Sequence, residues 1–164
     1  MNEAVVIGVG NDFRRDDGVG PYTIGLLKET LEAGGVMLSA AGGAGLSLME
    51  LWKGLPLAIV VDAVRAHDRP GAIYRFHPLR EGIPRELCPF STHSLNIAQM
   101  IELSRVLGAV PEQLIVYGVV GEDFGEGKGL SASVRRSAEE VAQRITKDIK
   151  TFLSNGRGCL SHDA

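Results

Sequence analysis

Three short runs constrain the fold most. Ala4–Ile7, Leu57–Val61 and Leu114–Val120 are apolar almost from end to end. A strand with one wet face alternates polar and apolar residues, whereas a run without alternation is buried on both faces. Amphipathic helical stretches separate the runs. Strand alternating with helix predicts an α/β domain of three layers, α/β/α, around a mostly parallel sheet. Right-handed crossovers bring the three runs to the middle of that sheet, so the loops at their carboxyl ends share one crevice.

The remaining elements fit around this frame. Gly18–Leu31 reads as a helix with Val19, Tyr22, Leu26, Leu27 and Leu31 as its apolar stripe, stopped by Gly34-Gly35. Val36–Ala40 is a second strand, and a short helix carries Leu48, Met49, Leu51 and Trp52. Gly71–His77 reads as an antiparallel edge strand, followed by an irregular loop, Pro78–Pro89, suited to a binding rim. A helix is expected from about Leu95 to Leu107. The acidic, glycine-rich loop Gly121–Gly129 reads as mobile. Ser131 is placed to cap a last helix, in which Val134, Ala138, Val141, Ile145, Ile149 and Phe152 keep helical spacing. The 164 residues suit a single domain over residues 1–153, and residues 154–164 form a tail with little to bury.

Composition excludes several classes of function. A net charge of −3 gives no reason to expect nucleic acid. No apolar run reaches membrane-spanning length, and the first residues enter a strand without a signal-peptide pattern. The two cysteines, Cys88 and Cys159, have no metal or redox spacing, so the chain reads as cytoplasmic and reduced.

The stretch Val5–Gly20 passes from strand through loop to helix. Gly8-Val9-Gly10 suggests a dinucleotide loop, but Phe13 stands where the third glycine belongs, and no Walker lysine follows. Asp16 and Asp17 stand where an anion would sit and repel it, with Arg14 and Arg15 as partial offset. Paired carboxylates suit a metal cation or acid–base work. One Asp could simply cap the helix, which leaves Asp16 open between capping and function. Two exceed what a cap requires, which favours a functional Asp17. Asp62 follows an all-apolar strand and reaches the same edge, unless it serves a turn or pairs with Arg65. His93 lies at the expected start of a helix, behind Ser91-Thr92, where the helix dipole keeps imidazole neutral, as a ligand must be; the alternative is a surface histidine. Asp17, Asp62 and His93 would make an O,O,N set with open positions, suited to nickel, zinc, iron or manganese.

Taken in order, Gly8-Val9-Gly10-Asn11, Asp16-Asp17-Gly18-Val19-Gly20, Val60-Val61-Asp62-Ala63 and Ser91-Thr92-His93-Ser94-Leu95 resemble the hydrogenase maturation endopeptidases. Gly118-Val119-Val120 and Gly129-Leu130-Ser131 extend the resemblance, which spans about Val5 to Phe152. It implies a twisted five-stranded sheet flanked by helices, a phosphorylase/hydrolase-like arrangement. It implies an aspartyl endopeptidase that removes a C-terminal extension from the large-subunit precursor of a nickel–iron hydrogenase once nickel is installed. Asp17, Asp62 and His93 stand at the family's metal-binding positions, with Asp16 as alternative or support. The nickel comes with the precursor, and zinc or cadmium can replace it in a purified sample. Two departures stand out. The first-loop ligand is commonly Glu, where this chain has the shorter Asp17, and the family often has an Asp where this chain has Ala41. Either the metal or a carboxylate would polarise the attacking water or the peptide carbonyl, and the loops Pro78–Pro89 and Gly121–Gly129 would grip the precursor.

Three rival readings remain. Cys88 and His93 could form a hydrolase pair, although no helix start activates the thiol. The same ligands could serve a non-enzymatic nickel-sensing or metallochaperone module. A nucleoside- or phosphate-handling enzyme is disfavoured by the acids.

Overall fold

A computed structural model describes residues 2–31, 34–42, 45–87 and 97–155. Five strands, β1 (Ala4–Val9), β2 (Val36–Ala41), β3 (Leu57–Val64), β4 (Ile73–Phe76) and β5 (Gln113–Val120), form one sheet in the order β2-β1-β3-β5-β4. All pairings are parallel except β4 with β5, which is antiparallel at the edge. The three apolar runs therefore hold the centre, as their lack of alternation requires.

Helices cover both faces. Side chains alternate across a strand. Val6, Ile59, Val61, Ile115 and Tyr117 face α1 (Val19–Thr30) and α5 (Ala132–Ser154). Val5, Ile7, Ala58, Val60 and Val116 face α2 (Gly45–Trp52) and α4 (Ile97–Val106). Across that second face the buried Trp52 donates its indole N–H to Ser104 Oγ at 3.2 Å, tying α2 to α4. The fold is the three-layer α/β/α arrangement with a mostly parallel five-stranded sheet.

Several boundaries differ from the sequence expectation, each for a physical reason. β3 does not stop at Asp62 but runs on to Val64, because Ala63 and Val64 pair with Val119 and Val120. The first helix is preceded by a separate 3-10 turn, Arg15–Gly18. Its buried stripe is Val19, Thr23, Ile24 and Leu27, while Tyr22 is 37% exposed and turned out of the core. A one-turn helix, α3 (Pro78–Glu81), begins the loop expected to be irregular. Ser131 holds the N-cap position of α5 without a side-chain capping bond, since its hydroxyl is used elsewhere. The expected start of the α4 helix at Leu95 and the tail beyond residue 155 lie outside the described residues.

One buried polar cluster ties the antiparallel edge to the helical layer. Asp148 of α5 takes Arg75 Nη2 at 3.0 Å and the Tyr117 hydroxyl at 2.5 Å, and Arg75 Nε also reaches that hydroxyl at 3.0 Å. Burial and the neighbouring Asp148 charge push the Tyr117 phenol far up, so it stays protonated and donates.

The tightest packing lies where α1 begins. A methyl on Gly20 would stand 2.4 Å from the Val9 carbonyl oxygen and 2.7 Å from that of Val61. A methyl on Gly8 would stand 2.3 Å from the Gly20 oxygen. Backbone meets backbone there, and backbone cannot rotate away. Gly20→Ala should therefore cost about 3 kcal/mol, the upper range for overpacking, or block folding. Gly25→Ala, in the same helix with no atom within 4 Å of the added carbon, should instead stabilise by about 1 kcal/mol through helix propensity. Urea denaturation of the two variants checks this contrast.

Candidate active site

Leaving β1, the chain turns at Gly10 with φ +137°, a conformation open to glycine. A side-chain carbon at that position would lie 1.9 Å from the Asp17 carbonyl oxygen, so the loop closes onto the turn that carries the acids. Asn11 N donates to Asp17 Oδ2 at 2.9 Å, and Phe13 N donates to Asn11 Oδ1 at 2.9 Å. Asp17 is only 4% exposed. Its carboxylate is thus fixed in direction by the loop that precedes it.

Asp16 has a different task. Its Oδ2 accepts Glu122 N at 2.8 Å, Asp123 N at 2.9 Å and the Ser131 hydroxyl at 2.8 Å, while Oδ1 accepts Ser131 N at 2.7 Å. The side chain is fully buried. Burial alone would raise its pKa, but the bonds from Ser131, Asp123 and Glu122 outweigh it and hold the carboxyl below the ordinary value of 3.8. An oxygen pair filled in this way by N–H and O–H donors serves as a clamp between two loops.

The clamp is reinforced by backbone. Arg15 N donates to Gly127 O at 2.9 Å, Gly127 N to Phe13 O at 2.8 Å and Asp16 N to Asp123 O at 2.9 Å. Arg15 sits at φ +49°, the one non-glycine with positive φ among the described residues, and its hydrogen bond to Gly127 holds it there. The loop after β5, which composition marks as mobile, is therefore stitched to the loop after β1. Its glycines serve close approach: a methyl on Gly121 would meet the Phe124 ring at 2.4 Å.

Asp62 lies on β3 opposite Gly118 of β5, half-buried with its Oδ1 out of reach of solvent. By strand alternation it points to the α2/α4 face. The 3-10 turn carrying Asp17 packs against β3, and β1 pairs with β3 up to Gly8↔Val61. Asp17 and Asp62 thus come to one edge of the sheet. His93, with Ser91 and Thr92 beside it, lies outside the described residues, as does Cys88. Among the described residues no group of three His, Cys, Asp or Glu side chains is placed to hold a metal ion. The donor chemistry at this edge is two carboxylates, which suit a hard or borderline cation and no thiolate-loving one.

Sequence reasoning set the adjacent acids apart, but it missed that Asp16 binds the loop after β5 instead of capping the helix. It also weighed Arg15 only as an offset to the acids and did not foresee that Lys128 and Arg135 line one cavity with it. Replacing Asp16 tests the clamp. Asp16→Ala strands three N–H donors and should cost about 3 kcal/mol. Because the folded-state pKa lies below the unfolded one, the stabilisation is complete above the ordinary value of 3.8 and is lost as pH falls through the lower folded-state value. The stability gap between wild type and Asp16→Asn, followed by urea denaturation from neutral pH downward, should stay constant until about pH 4 and close below it.

Comparison with known proteins agrees with this architecture. The family model described as hydrogenase maturation protease (HycI) matches residues 21–148. The chain is 27% identical over 144 residues to the hydrogenase expression/formation protein HoxM of Azotobacter vinelandii, covering 86% of this chain and 69% of that protein. It is 25% identical over 144 residues to the hydrogenase 2 maturation protease of Escherichia coli K12, covering 86% and 87%. The hydrogenase maturating endopeptidase HybD from E. coli superposes with a TM-score of 0.76 at 22% identity, over 95% of this chain and 94% of that one. A maturation protease HycI from Thermococcus kodakarensis does so with 0.70 at 24% identity, over 91% and 93%. This chain belongs to the hydrogenase maturation protease family, enzymes that hydrolyse a peptide bond.

Proposed function

We propose that this chain removes a C-terminal extension from the nickel-loaded large-subunit precursor of a nickel–iron hydrogenase, and that Asp17, Asp62 and His93 take the precursor's nickel as the mark of readiness. The observation that carries this reading is the convergence of Asp17 and Asp62 on one sheet edge in a chain of this family. Asp17 is held by Asn11 and Asp62 by a central strand, so both donors are ordered before any ion arrives. Ordered donors lose little freedom on binding, and the ion's position then fixes where the attached peptide lies.

Nickel belongs to the substrate here. It enters with the precursor, its remaining coordination positions accept the two carboxylates and the imidazole, and the scissile peptide is drawn into the crevice. Hydrolysis adds water across the peptide: hydroxide goes to the carbonyl carbon, the C–N bond breaks and a proton goes to the leaving amine. The chain's contribution is to hold that bond still beside a charged, partly dehydrated edge. The precursor is the partner. Among the described residues no helix is long and apolar enough to cross a membrane, and the net charge of −3 offers no attraction to nucleic acid.

Three substitutions test the ligand set. Asp17→Asn keeps an acceptor for Asn11 N, while Asp62→Asn and His93→Ala each remove one donor of the set. Each should abolish loss of the C-terminal peptide from nickel-loaded precursor, read by mass spectrometry. Urea midpoints of Asp17→Asn and Asp62→Asn should stay near wild type, because Asn keeps the volume of Asp, and circular dichroism should show His93→Ala folded. Normal processing by His93→Ala would remove that residue from the ligand set.

A further inference from the structure

Beside the turn that carries Asp17 lies a cavity of about 260 Å³. Arg15, Lys128 and Arg135 line it together with Asp12, Gly18 and Tyr22. Resting on the proposed function, we infer that this cavity is a carboxylate subsite for the precursor's peptide, separate from the nickel edge.

Charge is the first support. The chain as a whole carries −3, yet this cavity gathers three cations against the single carboxylate of Asp12. The neighbouring Asp16 does not cancel them, because its oxygens are turned to the amides of Glu122, Asp123 and Ser131. All three cations are exposed. Fixed placement is the second support. Arg15 commits Nη1 to the Lys128 carbonyl oxygen at 3.1 Å, which orients the guanidinium and keeps its other N–H groups for a ligand. The Lys128 ammonium rests 4.8 Å from the centre of the Phe13 ring, and Phe13 is itself 63% exposed. A guanidinium fork, an ammonium and a tyrosine rim recognise a planar carboxylate by paired hydrogen bonds and charge.

Location is the third. Arg15 and Gly18 bound the 3-10 turn, and Asp17 lies between them. An extended peptide advances about 3.3 Å per residue, so a few residues connect a bond held at the nickel edge with a carboxylate held here. Two sources offer that group: the α-carboxylate at the end of the C-terminal extension, or an acidic side chain near the cut.

The experiment has two arms. In the first, nickel-loaded precursor is processed by wild type and by the double variant Lys128→Glu/Arg135→Glu. KM should rise about tenfold with kcat within about twofold, the size expected for two exposed charges reversed beside an anion. The charge-keeping pair Lys128→Arg/Arg135→Lys should retain the wild-type KM, which a merely structural role would not predict. In the second, the labelled protein is titrated by NMR with acetyl-tetra-alanine as free acid, with its carboxamide, and with an amidated peptide carrying one internal Glu. Amide shifts at Gly129 and Ser131 with the free acid assign the terminal carboxylate, and shifts with the Glu peptide assign a side chain. A KM rise below about fivefold, or no shift with any acidic peptide, overturns the subsite. If wild type leaves the precursor uncut, the proposed function fails while the titration still decides the cavity.

Discussion

The site depends on two backbones touching. Gly8 of β1 and Gly20 of α1 meet without side chains between them, and Gly20 also rests on Val61 of β3. A helix normally stands off a sheet by the thickness of its side chains. Here the first turn of α1 is pulled onto the strands, and the 3-10 turn before it comes down against β3. The acids of that turn then arrive at the level of the strand ends rather than above them. One methyl at either glycine would lift the turn away, so the packing constraint comes before the electrostatic one.

Adjacent acids can then do different work. Successive residues in a 3-10 turn point about 120° apart, since three make a turn. Asp16 looks toward the loop after β5 and Asp17 back toward the loop after β1. Asp16 joins the two loops that border the crevice, and its lowered pKa is the electrostatic trace of that bonding. With both loops stitched, Asp17 is presented by a braced frame. Arg15 accepts a positive φ in the same turn, and the strain is held by its pairing with Gly127.

Much of this was legible in the chain itself. Apolar runs without alternation gave the central strands, and the order of elements gave the layers. Asp17 and Asp62 stood out because carboxylates beside buried strands are costly without a use. What escaped was tertiary. Asp62 lies within β3, because the pairing of Val64 with Val120 is invisible in a local window. Tyr22 matched the helical stripe by spacing, yet its phenol faces the cationic cavity. Glycine content made the loop after β5 look loose, whereas those glycines permit the close contacts that hold it. Asp148 had a readable signal: it follows Ile145 by three residues on the apolar stripe of α5, and an acid there requires a buried partner, which Arg75 supplies.

Among the described residues, the cavities beside the crevice are open to solvent rather than enclosed. Open cavities favour specificity from holding the substrate at separated points. On the proposed reading, the nickel edge and the carboxylate cavity are two such points that share one turn, Arg15–Gly18. The first contact makes the second intramolecular, so modest affinities multiply when the spacing fits. The two contacts also respond differently to solution conditions. Coordination to nickel is short-ranged, whereas attraction among exposed charges weakens as the Debye length falls to about 8 Å at physiological salt. Nickel would therefore decide whether a precursor is ready, and the cationic cavity would decide whether its peptide lies in register for the cut.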